Sequence, residues 1–143
     1  HNFIYRGWDV NTEGNPYAHT ILRGSTNKYG RSRPNYHYED LMKVLAMYGE
    51  RNLKFPATIV DANHANSDKQ FKEQIRIVKE VLHSRSLSND IRNLVKGVMI
   101  ESYLVEGNQK IGCQPHVYGQ SITDPCLGWE DSENLLYEIA ERC

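Results

Sequence analysis

The stretch ATIVDANHANSDKQ, residues 57–70, decides how the rest of the chain is read. Ala57-Thr58-Ile59-Val60 is a short apolar run of the kind that forms a buried strand. It stops abruptly at Asp61-Ala62-Asn63-His64-Ala65-Asn66-Ser67, which puts an acid, two amides and a histidine where a strand ends and a helix begins. Parallel sheets in α/β proteins carry their chemistry at the carboxyl ends of the strands. The string therefore predicts a site at His64.

Working outward, strand and helix signals alternate. His19-Thr20-Ile21-Leu22-Arg23 is β-prone and closes on Gly24, and a polar loop follows to Asn35. Residues 36–48 carry apolar side chains at 38, 41, 42, 45 and 48, which is helical spacing. Residues 67–83 carry Phe71, Ile75, Val78 and Leu82 as one stripe, with Asn66 or Ser67 able to cap the start. Residues 97–101 are a third strand, 102–128 a long glycine-containing loop, and 131–142 an amphipathic helix through Leu135, Leu136 and Ile139. The order β-α-β-α-β-loop-α predicts an α/β fold with parallel strands and helices on the faces of the sheet.

Bulk properties exclude several classes. The 143 residues suit one domain, and 17 Lys+Arg against 18 Asp+Glu leave no excess for nucleic acid or an anionic membrane surface. No apolar run reaches the ~18 residues of a membrane span, and HNFIYRGWDV lacks the apolar core of a signal peptide. Cys113, Cys126 and Cys143 are an odd set at irregular spacing, so a reduced, cytoplasmic protein is expected.

Each predicted strand ends in a group able to do chemistry: Arg23 after the first, Asp61 and His64 after the second, Glu101 after the third. Asp124 lies in the loop beyond. One imidazole and two carboxylates suit a divalent cation such as Mn, Fe(II) or Zn. The planar fork of an arginine suits a phosphate or carboxylate. Each residue also has a plainer reading. Arg23 fits an ion-paired surface residue, His64 a hydrogen-bonded structural histidine, and Asp124 before Pro125 a turn former. Glu101 directly follows Val98-Met99-Ile100 and, if buried, must be paired, hydrogen-bonded or metal-bound. Linear spacing does not bring these groups together. Lys28, Arg31 and Arg33 read as a solvated loop, and the cysteines as structural thiols.

Read as strings, the same residues are more specific. GNPYAHTILRG (14–24), DANHANSDKQ (61–70), GVMIESYLVEGNQ (97–109) and YGQSITDPCLGWEDSENLL (118–136) occur in this order. Together they closely resemble the type I 3-deoxy-D-arabino-heptulosonate 7-phosphate (DAHP) synthases, also called phospho-2-dehydro-3-deoxyheptonate aldolases. The resemblance implies a (β/α)8 TIM barrel that condenses phosphoenolpyruvate with erythrose 4-phosphate, the first step towards chorismate and the aromatic amino acids. It implies a divalent metal (Mn, Fe, Zn or Co) held by His64, Glu101 and Asp124. It places Arg23 and His64 on the substrate, Arg23 at the phosphoenolpyruvate phosphate, and His64 and Asp124 in catalysis.

A (β/α)8 barrel takes about 200 residues or more. Residues 1–143 therefore resemble only the carboxyl-terminal β-α units of such a barrel domain, and an incomplete barrel is expected. The family's fourth metal ligand, a cysteine in an N-terminal G-P-C-S-type string, has no counterpart, since Cys113, Cys126 and Cys143 stand in other contexts. Open strand edges invite association, so a homo-oligomer or a piece of a longer enzyme is expected, with little catalysis by the isolated chain. The alternatives are a non-catalytic truncated paralogue that keeps part of the metal and anion site, and, more remotely, a metal-dependent hydrolase built on the same three residues.

Overall fold

The computed structural model of the chain describes residues 1–112 and 115–143, so the reading of Cys113 lies outside the described residues. The chain opens on a hairpin in which β1 (Asn2–Tyr5) pairs antiparallel with β2 (Trp8–Asn11). Its turn places Arg6 and Gly7 at φ 51° and 83°, the two left-handed positions that a two-residue hairpin turn asks for. Then come β3 (Thr20–Leu22), the small hairpin β4 (Ser25–Thr26) with β5 (Ser32–Arg33), and helix α1 (Tyr38–Glu50). The middle of the chain holds β6 (Thr58–Asp61), α2 (His64–Ser67), α3 (Glu73–Leu87) and α4 (Asn89–Leu94). It ends with β7 (Val95–Met99), β8 (Val105–Asn108), β9 (Gln120–Ser121) and α5 (Trp129–Arg142). The fold is mixed α/β.

The predicted parallel sheet is present, with strand order β3-β6-β7 and every neighbour parallel. Strand β6 lies in the middle, and its Thr58, Val60 and Asp61 are buried. Helix α3 lays Ile77, Val78, Val81 and Leu82 into the core, where they meet Leu22, Val60, Ile91, Leu127 and Leu135. Helix α1 turns Leu41 and Tyr48 inward, and the Tyr48 hydroxyl donates to the Ala57 carbonyl at 2.7 Å, tying the helix to the approach of β6. Among the described residues no helix is long and apolar enough to cross a membrane.

Four local expectations are corrected. The helix predicted over 67–83 is broken, because Asp68 and Lys69 take left-handed conformations (φ 54° and 59°) that end the single turn of α2. Helix α3 starts only at Glu73. Its buried face runs through Gln74, Ile77, Val78 and Val81, while Phe71 and Ile75 are partly buried at its margin. Helix α4 was not anticipated. Extended Ser88 interrupts the helical run, and its Oγ accepts from the Ile91 N–H at 3.4 Å to cap a new start. The third strand ends at Met99, which leaves Glu101 two residues beyond it. The loop predicted over 102–128 contains the parallel pair β8–β9, so Gly107-Asn108 and Gln120-Ser121 are strand residues within it.

Candidate metal site

At the carboxyl ends of β3, β6 and β7 the structure gathers Arg23, Asp61, His64 and Glu101, and the segment after β9 brings Asp124 to the same place. Asp61 closes β6 with its side chain almost wholly buried and uses both oxygens. Oδ1 accepts from the Asn63 N–H at 2.9 Å, which turns the chain sharply out of the strand. Oδ2 faces His64 Nδ1 at 2.8 Å. His64 itself sits at φ 49°, a costly conformation for a residue with a Cβ.

That conformation is held by buried hydrogen bonds around Asn66. Its amide donates to the Leu22 carbonyl at 3.0 Å and to the Asp61 carbonyl at 2.7 Å, and its Oδ1 accepts from the Asn35 N–H at 2.9 Å. Asn35 Oδ1 in turn accepts from the Gly24 N–H at 2.8 Å. Gly24 is required here, since at φ +70° a Cβ would lie 2.9 Å from both Ala65 and the Arg33 carbonyl. One amide on α2 thus ties together β3, β6 and the segment before α1.

With Nδ1 donating to Asp61, the Nε2 of His64 is the nitrogen that faces the rest of the site. It lies 3.3 Å from Asp124 Oδ2 and 3.9 Å from Glu101 Oε1. The three donor atoms lie within 4.8 Å of one another. Donors held ~2.0–2.2 Å from a zinc-type ion stand roughly 3–4 Å apart, so this nitrogen and these two oxygens are close enough that a divalent ion could lie between them. The Lys69 ammonium bonds Asp124 Oδ1 at 3.1 Å, on the side away from His64. That bond holds the Asp124 carboxyl below the usual carboxylate range. Burial pushes the other way, and the charges of Lys69 and His64 add to the lowering.

Arg23 lies at the edge of the group, mostly exposed, with Nε 3.8 Å from Asp61 Oδ2. Among the described residues its Nη groups make no hydrogen bond, which leaves the fork open to an anion. Of the residues singled out in the sequence, His64, Glu101 and Asp124 meet, and Arg23 lies beside them against Asp61. Asp61 was visible as a strand-end acid, but its role facing His64 was not; the D-x-x-H spacing across a strand end was its signal. Lys69 and Asn66 gave none, because each acts through the tertiary fold. Among the described residues, the side chains of Lys28, Arg31 and Arg33 make no hydrogen bond or ion pair to these residues, although the Arg33 carbonyl lies close to Gly24.

The model of the DAHP synthetase I family matches residues 3–137. The phospho-2-dehydro-3-deoxyheptonate aldolase of Haemophilus influenzae is 43% identical over 133 residues, which covers 92% of this chain and 34% of that protein. The Trp-sensitive enzyme of the same name from Escherichia coli is 42% identical over 133 residues, 90% of this chain and 34% of that one. Among solved structures, the Francisella tularensis phospho-2-dehydro-3-deoxyheptonate aldolase superposes with a TM-score of 0.81 at 34% identity, over 99% of this chain and 40% of its own. The chain thus spans about a third of the length of the curated relatives it matches. With the family's model matched over nearly all of its residues, the chain belongs to the DAHP synthetase I family.

Proposed function

We propose that residues 1–143 are the carboxyl-terminal β-α units of a (β/α)8 barrel and supply the metal- and phosphate-binding side of a DAHP synthase, a transferase that condenses phosphoenolpyruvate with erythrose 4-phosphate and releases phosphate. The observation that carries this reading is the convergence of His64, Glu101 and Asp124 beside Arg23, in a chain of this family. The partial barrel is supported by the open flank of β3. An apolar cleft of about 1010 Å³ lies there between Ile21, Val44, Met47, Leu53 and Phe55, where a further β-α unit would pack. Exposed Ile4 and Trp8 on the first hairpin suit contact with a second copy, so a homo-oligomer is part of the reading, as is a cytoplasmic location.

In this mechanism His64, Glu101 and Asp124 would hold a divalent ion, one of Mn, Fe, Zn or Co. When bound, such an ion supplies Lewis-acid polarisation of the aldehyde oxygen of erythrose 4-phosphate. The residues of the chain do the rest. Arg23 grips the phosphate of phosphoenolpyruvate with its open Nη groups and offsets charge as that phosphate departs. Carbon 3 of phosphoenolpyruvate attacks the aldehyde carbon, whose oxygen takes up a proton; water adds at carbon 2 and gives up its protons as the C2–O bond to the phosphate breaks, which leaves a ketone at carbon 2 and releases inorganic phosphate. Asp61 keeps His64 in one tautomer and one orientation throughout. Lys69 lowers the Asp124 carboxyl and fixes one of its oxygens, so the other stays turned towards His64.

The test is a chimera in which residues 3–137 replace the matching segment of the Escherichia coli relative. DAHP formation that needs both substrates and is lost in His64→Ala supports the reading. A folded chimera that makes no DAHP, or that releases phosphate without erythrose 4-phosphate, rejects it, and the latter result points to the hydrolase alternative.

A further inference from the structure

We propose that Gln74 is a positioning residue for Glu101, and through it sets the affinity of the metal site. The inference rests on the reading of His64, Glu101 and Asp124 as metal ligands. Helix α3 faces the core with Ile77, Val78, Val81 and Leu82, yet one turn earlier it buries the amide of Gln74 completely. A buried amide must find hydrogen-bond partners or it destabilises the fold. Gln74 finds both on one residue. Its Oε1 accepts from the Glu101 N–H at 2.8 Å, and its Nε2 donates to the Glu101 carbonyl at 3.1 Å.

The position of Glu101 explains why this matters. Strand β7 pairs with β6 only as far as Asp61 opposite Met99, so Glu101 lies past the end of the ladder. Gln74 pairs with its N–H and C=O together, as a neighbouring strand would, and extends the ladder by a side chain. The Leu127 N–H also donates to the Glu101 carbonyl at 2.9 Å. With its peptide groups fixed on both sides, Glu101 directs Oε1 to 3.9 Å from His64 Nε2. His64 and Asp124 are steadied by side-chain contacts from Asp61 and Lys69. Glu101 is steadied through its backbone, by a residue on the helix behind the sheet.

The experiment compares Gln74→Leu, Gln74→Glu and Ile77→Val in the full chain, with Mn2+ affinity read from the electron paramagnetic resonance of free Mn2+ and thermal unfolding read separately. Gln74→Leu fills the same space without hydrogen bonds, and Gln74→Glu keeps the acceptor for the Glu101 N–H. Ile77→Val trims the same buried face without touching Glu101. Gln74→Leu is expected to weaken Mn2+ binding about 10–100-fold, the usual effect of removing a support behind a ligand. Gln74→Glu should weaken it less, and Ile77→Val should leave it unchanged even where its unfolding temperature falls. If Gln74→Leu does not fold, Gln74→Glu carries the comparison. Wild-type affinity in the folded Gln74 variants, or an equal loss in Ile77→Val, overturns the proposal. A wild-type chain that takes up no Mn2+ overturns the metal reading itself, and the role of Gln74 with it.

Discussion

Replacing Asn66 with alanine should cost about 3 kcal/mol of stability, taking each of its three hydrogen bonds at about 1 kcal/mol. The side chain is buried, so water does not freely replace the amide, and the Leu22 and Asp61 carbonyls and the Asn35 N–H all lose a partner. A domain is stable by about 5–15 kcal/mol in total, so the loss is a large share. With a urea slope of about 2 kcal/mol/M, the unfolding midpoint should fall by about 1.5 M. The assay is urea unfolding of wild type and Asn66→Ala followed by far-ultraviolet circular dichroism. Asn35→Ala serves as comparison: it removes only the Gly24 contact among the hydrogen bonds its side chain makes, and should cost about 1 kcal/mol. A loss below about 1 kcal/mol for Asn66→Ala would refute the reasoning, because it would mean that the three bonds are replaced on mutation or contribute nothing.

Other outcomes follow from the same geometry. Asp61→Asn puts an amide N–H where His64 Nδ1 now donates, which moves the proton to Nε2; Mn2+ affinity should fall about 10–100-fold, and an unchanged affinity would contradict the proposed tautomer. Lys69→Met removes the main cause of the lowered Asp124 carboxyl, so in the metal-free chain that group should titrate closer to the ordinary carboxylate range; carbon-13 NMR of Asp124 would show no change if Lys69 were not its partner. Burial pushes the Cys126 thiol up, with the charges of Glu101 and Asp124 adding to the rise, whereas Cys143 is exposed. Peptide mapping after brief alkylation near neutral pH should find Cys143 modified well before Cys126, and the reverse order would place Cys126 at the surface.

The residues 57–61 could be read as a strand because a buried parallel strand is a continuous apolar run, and a polar string at its end leaves few other interpretations. The site was legible for the same reason: Arg23, His64 and Glu101 each follow an apolar run, and parallel order puts such positions on one side of a sheet. Their separations were not legible, since register and the reach of the segment after β9 are set by tertiary packing. The break between α2 and α3 was hidden because Phe71 keeps the helical spacing of apolar residues while Asp68 and Lys69 leave the helix. The strands β4, β5, β8 and β9 are short and polar, with no alternation to reveal them. Gln74 carried a signal that went unused. It stands in line with Ile77, Val78 and Val81 on the inner face of α3, and a polar residue at such a position implies a buried partner.

The central claim is that His64, Glu101 and Asp124 hold one divalent ion between them. It is tested most directly by anomalous diffraction from crystals of the chain soaked in Mn2+. The account predicts a single strong peak at coordination distance, about 2.0–2.3 Å, from His64 Nε2, Glu101 Oε1 and Asp124 Oδ2 together. A peak bound elsewhere, or a soaked crystal with no peak among these three atoms, would contradict it.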